Sequence, residues 1–139
     1  MKHKTSELSG DLLDAAVAKA EGLEIHPGRD RYVVVQSIDK VWADEISPSR
    51  LWSHAGPIIE RERISISFKH RRHSFDTTSG DWCAHIFVKG SDLMLPGSYL
   101  SDPGSGEEKG AHLLFSADDP LIAAMRAYVA SKFGDEVEL

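Results

Sequence analysis

A chain of 139 residues, 41% hydrophobic and 27% charged, carries enough apolar surface for one ordinary core and too much patterning for wholesale disorder. Its formal net charge of -6 excludes indiscriminate binding to nucleic acid, although a local basic patch can override the average. The single cysteine, Cys83, excludes an internal disulfide framework, and no stretch of about 18 apolar residues is present to form a membrane-spanning helix.

The segment Met1 to Glu7 has no apolar run that would act as a secretion signal, so a reducing cytoplasm is the expected setting. Next, Leu12, Leu13, Ala16, Val17 and Ala20 recur at helical spacing. Ser9 is placed to cap a helix over residues 10–21, and Gly22 to end it in a left-handed conformation. Tyr32 to Gln36 is a short β-branched run that reads as a strand. The stretch from Ile46 to Pro57 reads as irregular, broken by Pro48, Gly56 and Pro57.

Ile64, Ile66 and Phe68 alternate with serines, and Trp82, Ala84, Ile86 and Val88 repeat that alternation. The Thr-, Ser- and Gly-rich residues from Phe75 to Asp81 between them predict an antiparallel hairpin with a long exposed tip. Residues 90–110 hold five glycines and two prolines and are expected to form a flexible loop insertion, followed by a strand from Ala111 to Phe115. Asp118-Asp119-Pro120 then supplies a cap and a first-position proline. The stripe of Leu121, Ile122, Met125, Tyr128, Val129 and Phe133, closed by Gly134, predicts a second helix. The expected architecture is one α+β domain over residues 1–139, a mainly antiparallel sheet with two helices packed on one face.

Several strings together resemble the NinX-type proteins, small proteins from the accessory regions of lambdoid phages and prophages. They are Lys4-Thr5-Ser6-Glu7-Leu8-Ser9-Gly10 with Leu13-Asp14-Ala15-Ala16-Val17-Ala18 and Glu21-Gly22, then Ser47-Pro48-Ser49 with Trp52 and Gly56-Pro57-Ile58-Ile59-Glu60-Arg61, and lastly the run from Pro120 to Lys132 with Gly134 to Val137. The resemblance covers about half the chain and leaves out the basic hairpin tip and the 90–110 segment. It implies a phage or prophage origin and a host-cytoplasmic location, and it implies no reaction.

The residues themselves offer two candidate sites. In the first, Ser47, Ser49, Arg50, Trp52, Gly56, Pro57 and Arg61 combine hydroxyls, a stacking face, backbone access and positive charge. That set suits capture of a small anionic, nucleotide-like ligand, with free amides at a helix opened by Pro57, and the site is placed within one subunit or across a homodimer interface. Capture of a host signalling nucleotide follows only by analogy. The plainer reading is that Trp52 fills the core and Glu60 and Arg61 form a surface pair. In the second, Lys69, Arg71 and Arg72, with His70 and His73, form a basic tip suited to phosphates or to a protein partner, or simply a solvated hairpin end.

Seven histidines raise the question of a metal, with Cys83 and His85 on one face of a strand, but no second pair stands at ligand spacing and no metal or cofactor is expected. Enzymatic chemistry has the least support: there is no Gly-x-Ser-x-Gly elbow, no phosphate loop and no His-Glu-x-x-His. The expectation is therefore a non-catalytic binding protein.

Overall fold

The computed structural model describes residues 1–26, 33–36, 43–70 and 80–139. Along the chain come β1 (Lys2–Lys4), a 3-10 turn (Thr5–Glu7), α1 (Gly10–Ala20), β2 (Glu24–His26), β3 (Val33–Gln36), β4 (Ala43–Ile46) and α2 (Trp52–Glu62). β5 (Ser65–His70), β6 (Gly80–Lys89), β7 (Tyr99–Leu100), β8 (Gly110–Ala117), α3 (Pro120–Phe133) and β9 (Glu136–Glu138) complete it.

α3 is the centre of the protein. It starts as its sequence predicts, with the Asp119 carboxylate accepting from Leu121 N at 2.8 Å and Ile122 N at 3.2 Å, and with Pro120 in the first turn where no donor is missed. Met125, Tyr128 and Val129 of the predicted stripe are buried, but so are Ala123, Ala124, Ala127 and Ala130 between them. A helix covered all round must have neighbours on both sides, and the small alanines let them approach.

On one side lies a four-stranded antiparallel sheet in the order β5-β6-β8-β7, whose Ala84, Ile86, Ala111 and Leu113 join the core with α3. On other sides α3 meets α1 and α2, and β2 and β3 run alongside α1 as part of a second antiparallel sheet, β2-β3-β4. β1 and β9 pair as a short ribbon. The α+β class with a mainly antiparallel sheet is borne out, and β5 and β6 pair antiparallel as expected, while the long tip expected between them lies outside the described residues. α3 is the helix that lies on the four-stranded sheet, with α1 and α2 reached through it.

Two local readings need correction. Ser9 stands at the N-cap of α1 with extended backbone, yet its hydroxyl makes no capping bond; Gly22 does adopt the left-handed form at φ +75°. The segment read as irregular up to Pro57 contains the start of α2, which runs through Pro57 rather than opening there. A mid-helix proline removes one donor, the one Ser53 O would accept from, and the exposure of Ser53 lets water replace it. Within residues 90–110, Leu95 is buried and β7 forms, and Ser101 binds Gly110 through N to O at 2.9 Å and through its hydroxyl.

Candidate functional site

Asp14 on the inner face of α1 is almost wholly buried. One oxygen accepts the Ser49 backbone N–H at 2.8 Å and the other accepts the Ser47 hydroxyl at 3.2 Å. A turn around Pro48 is thereby held against α1, and Ser47 O accepts from Arg50 N and Leu51 N to lead the chain into α2. Burial raises the Asp14 pKa above its ordinary value, and the Ser49 N–H, the two serine hydroxyls and Arg50 oppose that rise. Ser49 Oγ itself is buried without a hydrogen-bond partner of good geometry among the described residues. Ser47 N–H points the other way, donating to His54 Nδ1 at 2.9 Å in the first turn of α2.

The turn and the two helices enclose an open cleft of about 330 Å³. Val17, Leu23, Ile46 and Ile58 form much of its apolar surface with Pro48 and Pro57, while His54, Glu21 and Arg61 supply the polar groups. Arg61 Nη2 meets Glu21 at 2.7 Å and the Tyr128 hydroxyl at 3.3 Å, and Arg61 Nε meets Glu62 at 3.1 Å. The bond to Glu21 foremost raises the Arg61 pKa, while burial, aided by the charge of Glu21, pushes the Tyr128 hydroxyl up to about 12. One guanidinium thus faces two carboxylates, and the cluster carries no surplus positive charge of its own, although Lys132 approaches Glu62 at 3.9 Å.

Of the seven residues proposed for this region, Pro57 and Arg61 line the cleft. Ser47 and Ser49 are buried in the Asp14 clamp, and Arg50 turns outward to Asp11 at 3.3 Å. Gly56 sits in α2 with open space where a side chain would go. Trp52 is 57% exposed, which overturns the plainer reading of it as a core residue. Arg61 lies in the last turn of α2, about 14 Å along the axis from its amino end, so it and the free amides of that end do not converge as a helix opened by Pro57 would require. Lys69 is exposed near the end of β5, and Arg71 and Arg72 lie outside the described residues.

Sequence reasoning missed Val17, Glu21 and Leu23 as cleft residues because each has an ordinary local explanation in or after α1. It also missed a second cluster on the sheet face turned away from α3. There His85 Nε2 and His112 Nδ1 share a 2.8 Å hydrogen bond with their rings 16° from parallel, and Tyr99 stacks on His112 at 4.5 Å. Burial and the neighbouring His112 lower the His85 pKa. Among the described residues no group of three or more His, Cys, Asp or Glu side chains is disposed to hold a metal ion, and no helix is long and apolar enough to cross a membrane.

Fold and site together define a small α+β protein with a central buried helix and a lateral apolar cleft between two outer helices. The chain belongs to the bacteriophage P22 NinX family, whose model matches residues 4–95. The match takes in the cleft, the clamp and the basic stretch 69–73, and it ends before α3, whose sequence was part of the resemblance noted above. No curated protein matches the chain.

Proposed function

We propose that this phage protein is a non-catalytic accessory factor that captures a small, largely apolar molecule in the cleft between α1 and α2. The observation that carries this reading is the cleft itself: about 330 Å³, with Val17, Leu23, Ile46, Pro48, Pro57 and Ile58 among its walls and, among the described residues, its polar groups supplied by His54 and the Glu21–Arg61 pair. Ligand sites of this kind join an apolar wall to a few placed polar groups. An anionic, nucleotide-like ligand would have to displace Glu21 from Arg61 and then sit beside the freed carboxylate, so the local charges favour a ligand with a modest polar end over a phosphate. Capture to counter host signalling is the biological role that a phage origin suggests for such a cleft.

The test is a fragment screen read by methyl NMR. Hits should shift Val17, Leu23, Ile46 and Ile58 together, and a screen whose hits cluster elsewhere, or that yields none, overturns the reading. A homodimer reading rests on a different observation: Leu51 and Trp52, 46% and 57% exposed, present adjoining apolar side chains at the start of α2. Sedimentation equilibrium of wild type and Trp52→Ala decides it. Nucleic-acid binding through Lys69, Arg71 and Arg72 would instead appear as affinity that falls steeply with salt and is lost when the three are replaced by alanine.

A further inference from the structure

We infer that His54 is the recognition residue of the cleft, presenting a single N–H donor that selects ligands with an uncharged hydrogen-bond acceptor such as a ketone, an amide carbonyl or an aromatic ring nitrogen. This rests on the cleft being a binding site and goes further by naming the chemical class that the site takes.

The inference follows from one hydrogen bond and what fixes it. A backbone N–H can only donate, so the Ser47 N–H at 2.9 Å requires His54 Nδ1 to carry a lone pair. The imidazole proton is then on Nε2, the opposite nitrogen of a side chain that lines the cleft. Ser47 cannot easily turn its N–H elsewhere. Its hydroxyl is bound to Asp14, its carbonyl accepts two backbone donors, and the neighbouring Ser49 N–H is bound to the same carboxylate. The buried clamp therefore sets the tautomer of a cleft residue. Among the described residues, Nε2 has no acceptor in the protein, so a ligand atom can take the bond.

The charges around it choose between acceptors. Glu21 is part of the cleft wall, and Arg61, which also lines it, is bound to Glu21 and Glu62. A carboxylate or phosphate placed beside them meets the like charge of Glu21 and, among the described residues, a guanidinium already bound to two carboxylates, whereas a neutral acceptor gains the His54 bond without that repulsion.

Two measurements on the full chain test this. First, 15N NMR of the imidazole nitrogens in the ligand-free protein should show Nε2 protonated and Nδ1 with its lone pair; protonated Nδ1 overturns the inference whatever the cleft binds. Second, acetophenone, α-methylstyrene and benzoate serve as near-isosteric probes with a neutral acceptor, no acceptor and a charged one. Acetophenone should bind about fivefold more tightly than α-methylstyrene, the ratio expected for one ordinary hydrogen bond, and more tightly than benzoate. In His54→Asn the side-chain oxygen can still accept the Ser47 N–H while the N–H at the Nε2 position is lost, the amide NH2 standing at the Cδ2 position instead, so within that variant acetophenone should lose its roughly fivefold preference over α-methylstyrene. His54→Gln, which returns an N–H near the Nε2 position, should restore part of it. Equal binding of acetophenone and α-methylstyrene to wild type overturns the recognition role and leaves the cleft standing. Tighter binding of benzoate overturns the uncharged class. If none of the three shifts the cleft methyls, the binding reading and the recognition role fall together, and the tautomer alone survives.

Discussion

Replacing Asp14 by alanine removes both acceptors of the clamp at once. The Ser49 N–H and the Ser47 hydroxyl, bound at 2.8 and 3.2 Å, are left in a site that water reaches poorly. A buried donor left without its partner costs about 1–3 kcal/mol, and relief of the carboxylate's own desolvation offsets part of the sum. The expected net loss is about 2–4 kcal/mol, a large share of the roughly 5–15 kcal/mol that holds a domain together. Asp14→Asn behaves differently: its oxygen still accepts from Ser49 N, its amide can donate to a reoriented Ser47 hydroxyl, and no charge is buried, so it should remain within about 1 kcal/mol of wild type. Wild type, unlike Asp14→Asn, also carries a titrating group at this position. Because the folded pKa of Asp14 is raised above its ordinary value of 3.8, the native protein holds the proton more tightly than the unfolded chain. The resulting stabilisation is fully present below 3.8 and is lost as pH rises through the folded pKa. Urea unfolding followed by circular dichroism from pH 3.5 to 7 should therefore show wild type gaining on Asp14→Asn as the pH falls. An alanine variant within 0.5 kcal/mol of wild type, or a wild-type advantage over Asp14→Asn that shrinks on acidification, would refute the clamp.

Four further outcomes follow from the same geometry. Trp52→Ala should change stability by less than about 0.5 kcal/mol, because the ring is 57% exposed; a loss above about 2 kcal/mol in thermal melts would mean that it packs after all. Gly56→Ala should raise helix stability by about 0.5–1 kcal/mol, since a side chain there meets nothing within 4 Å. If that variant is more stable but binds cleft fragments less well, the glycine serves ligand approach, and if it melts earlier the position of Gly56 in α2 is wrong. Gly110→Ala would drive a methyl into the Phe87 ring and to 2.6 Å from Val88 O, so β6 and β8 must part; a loss of more than about 2 kcal/mol is expected, and Phe87→Ala should not rescue it because the backbone oxygen remains. His85, whose pKa is lowered by burial and by His112, takes its proton later in the folded state than in the unfolded chain. Its contribution is thus intact above its ordinary value of 6.5 and lost as pH falls from there toward the folded pKa, so His85→Gln should flatten the wild-type decline in melting temperature below pH 6.5; an identical decline in both proteins would contradict it.

Local physics made α1, α3 and the hairpin legible. Asp119-Pro120 is a cap and a first turn in any context, Gly22 accepts a left-handed backbone at little cost, and alternation in Ile64 to Phe68 can only place one face inward. α2 was not legible because Gly56-Pro57 is a local argument against a helix. The burial of Ala55 and Ile58 against the rest of the core outweighs that local preference, which no reading of neighbours in sequence reveals. Trp52 shows the same limit from the other side: a residue type that is buried on average stands here on the surface, because it occupies the first turn of a helix whose inner face is set by Ala55 and Ile58. For Tyr32 to Gln36 the described part, Val33–Gln36, is a strand as expected, while β4 has little β-branched character to announce it.

The site was half legible for a reason that bears on how it works. The chain from Ser47 to Arg61 was recognisable as unusual, but its residues divide between a buried clamp, an exposed rim and a cleft wall, and that division is decided by Asp14, 33 residues before Ser47. Asp14 looked like an ordinary helical residue, and only the fold places its carboxylate under the turn. Once it is there, the consequences run outward in one direction: the carboxylate fixes the turn, the turn aims the Ser47 N–H, and that N–H fixes which nitrogen of His54 is bare. Of the candidate residues, then, Ser47 and Ser49 hold the turn that positions His54, while Pro57 and Arg61 stand in the cleft wall.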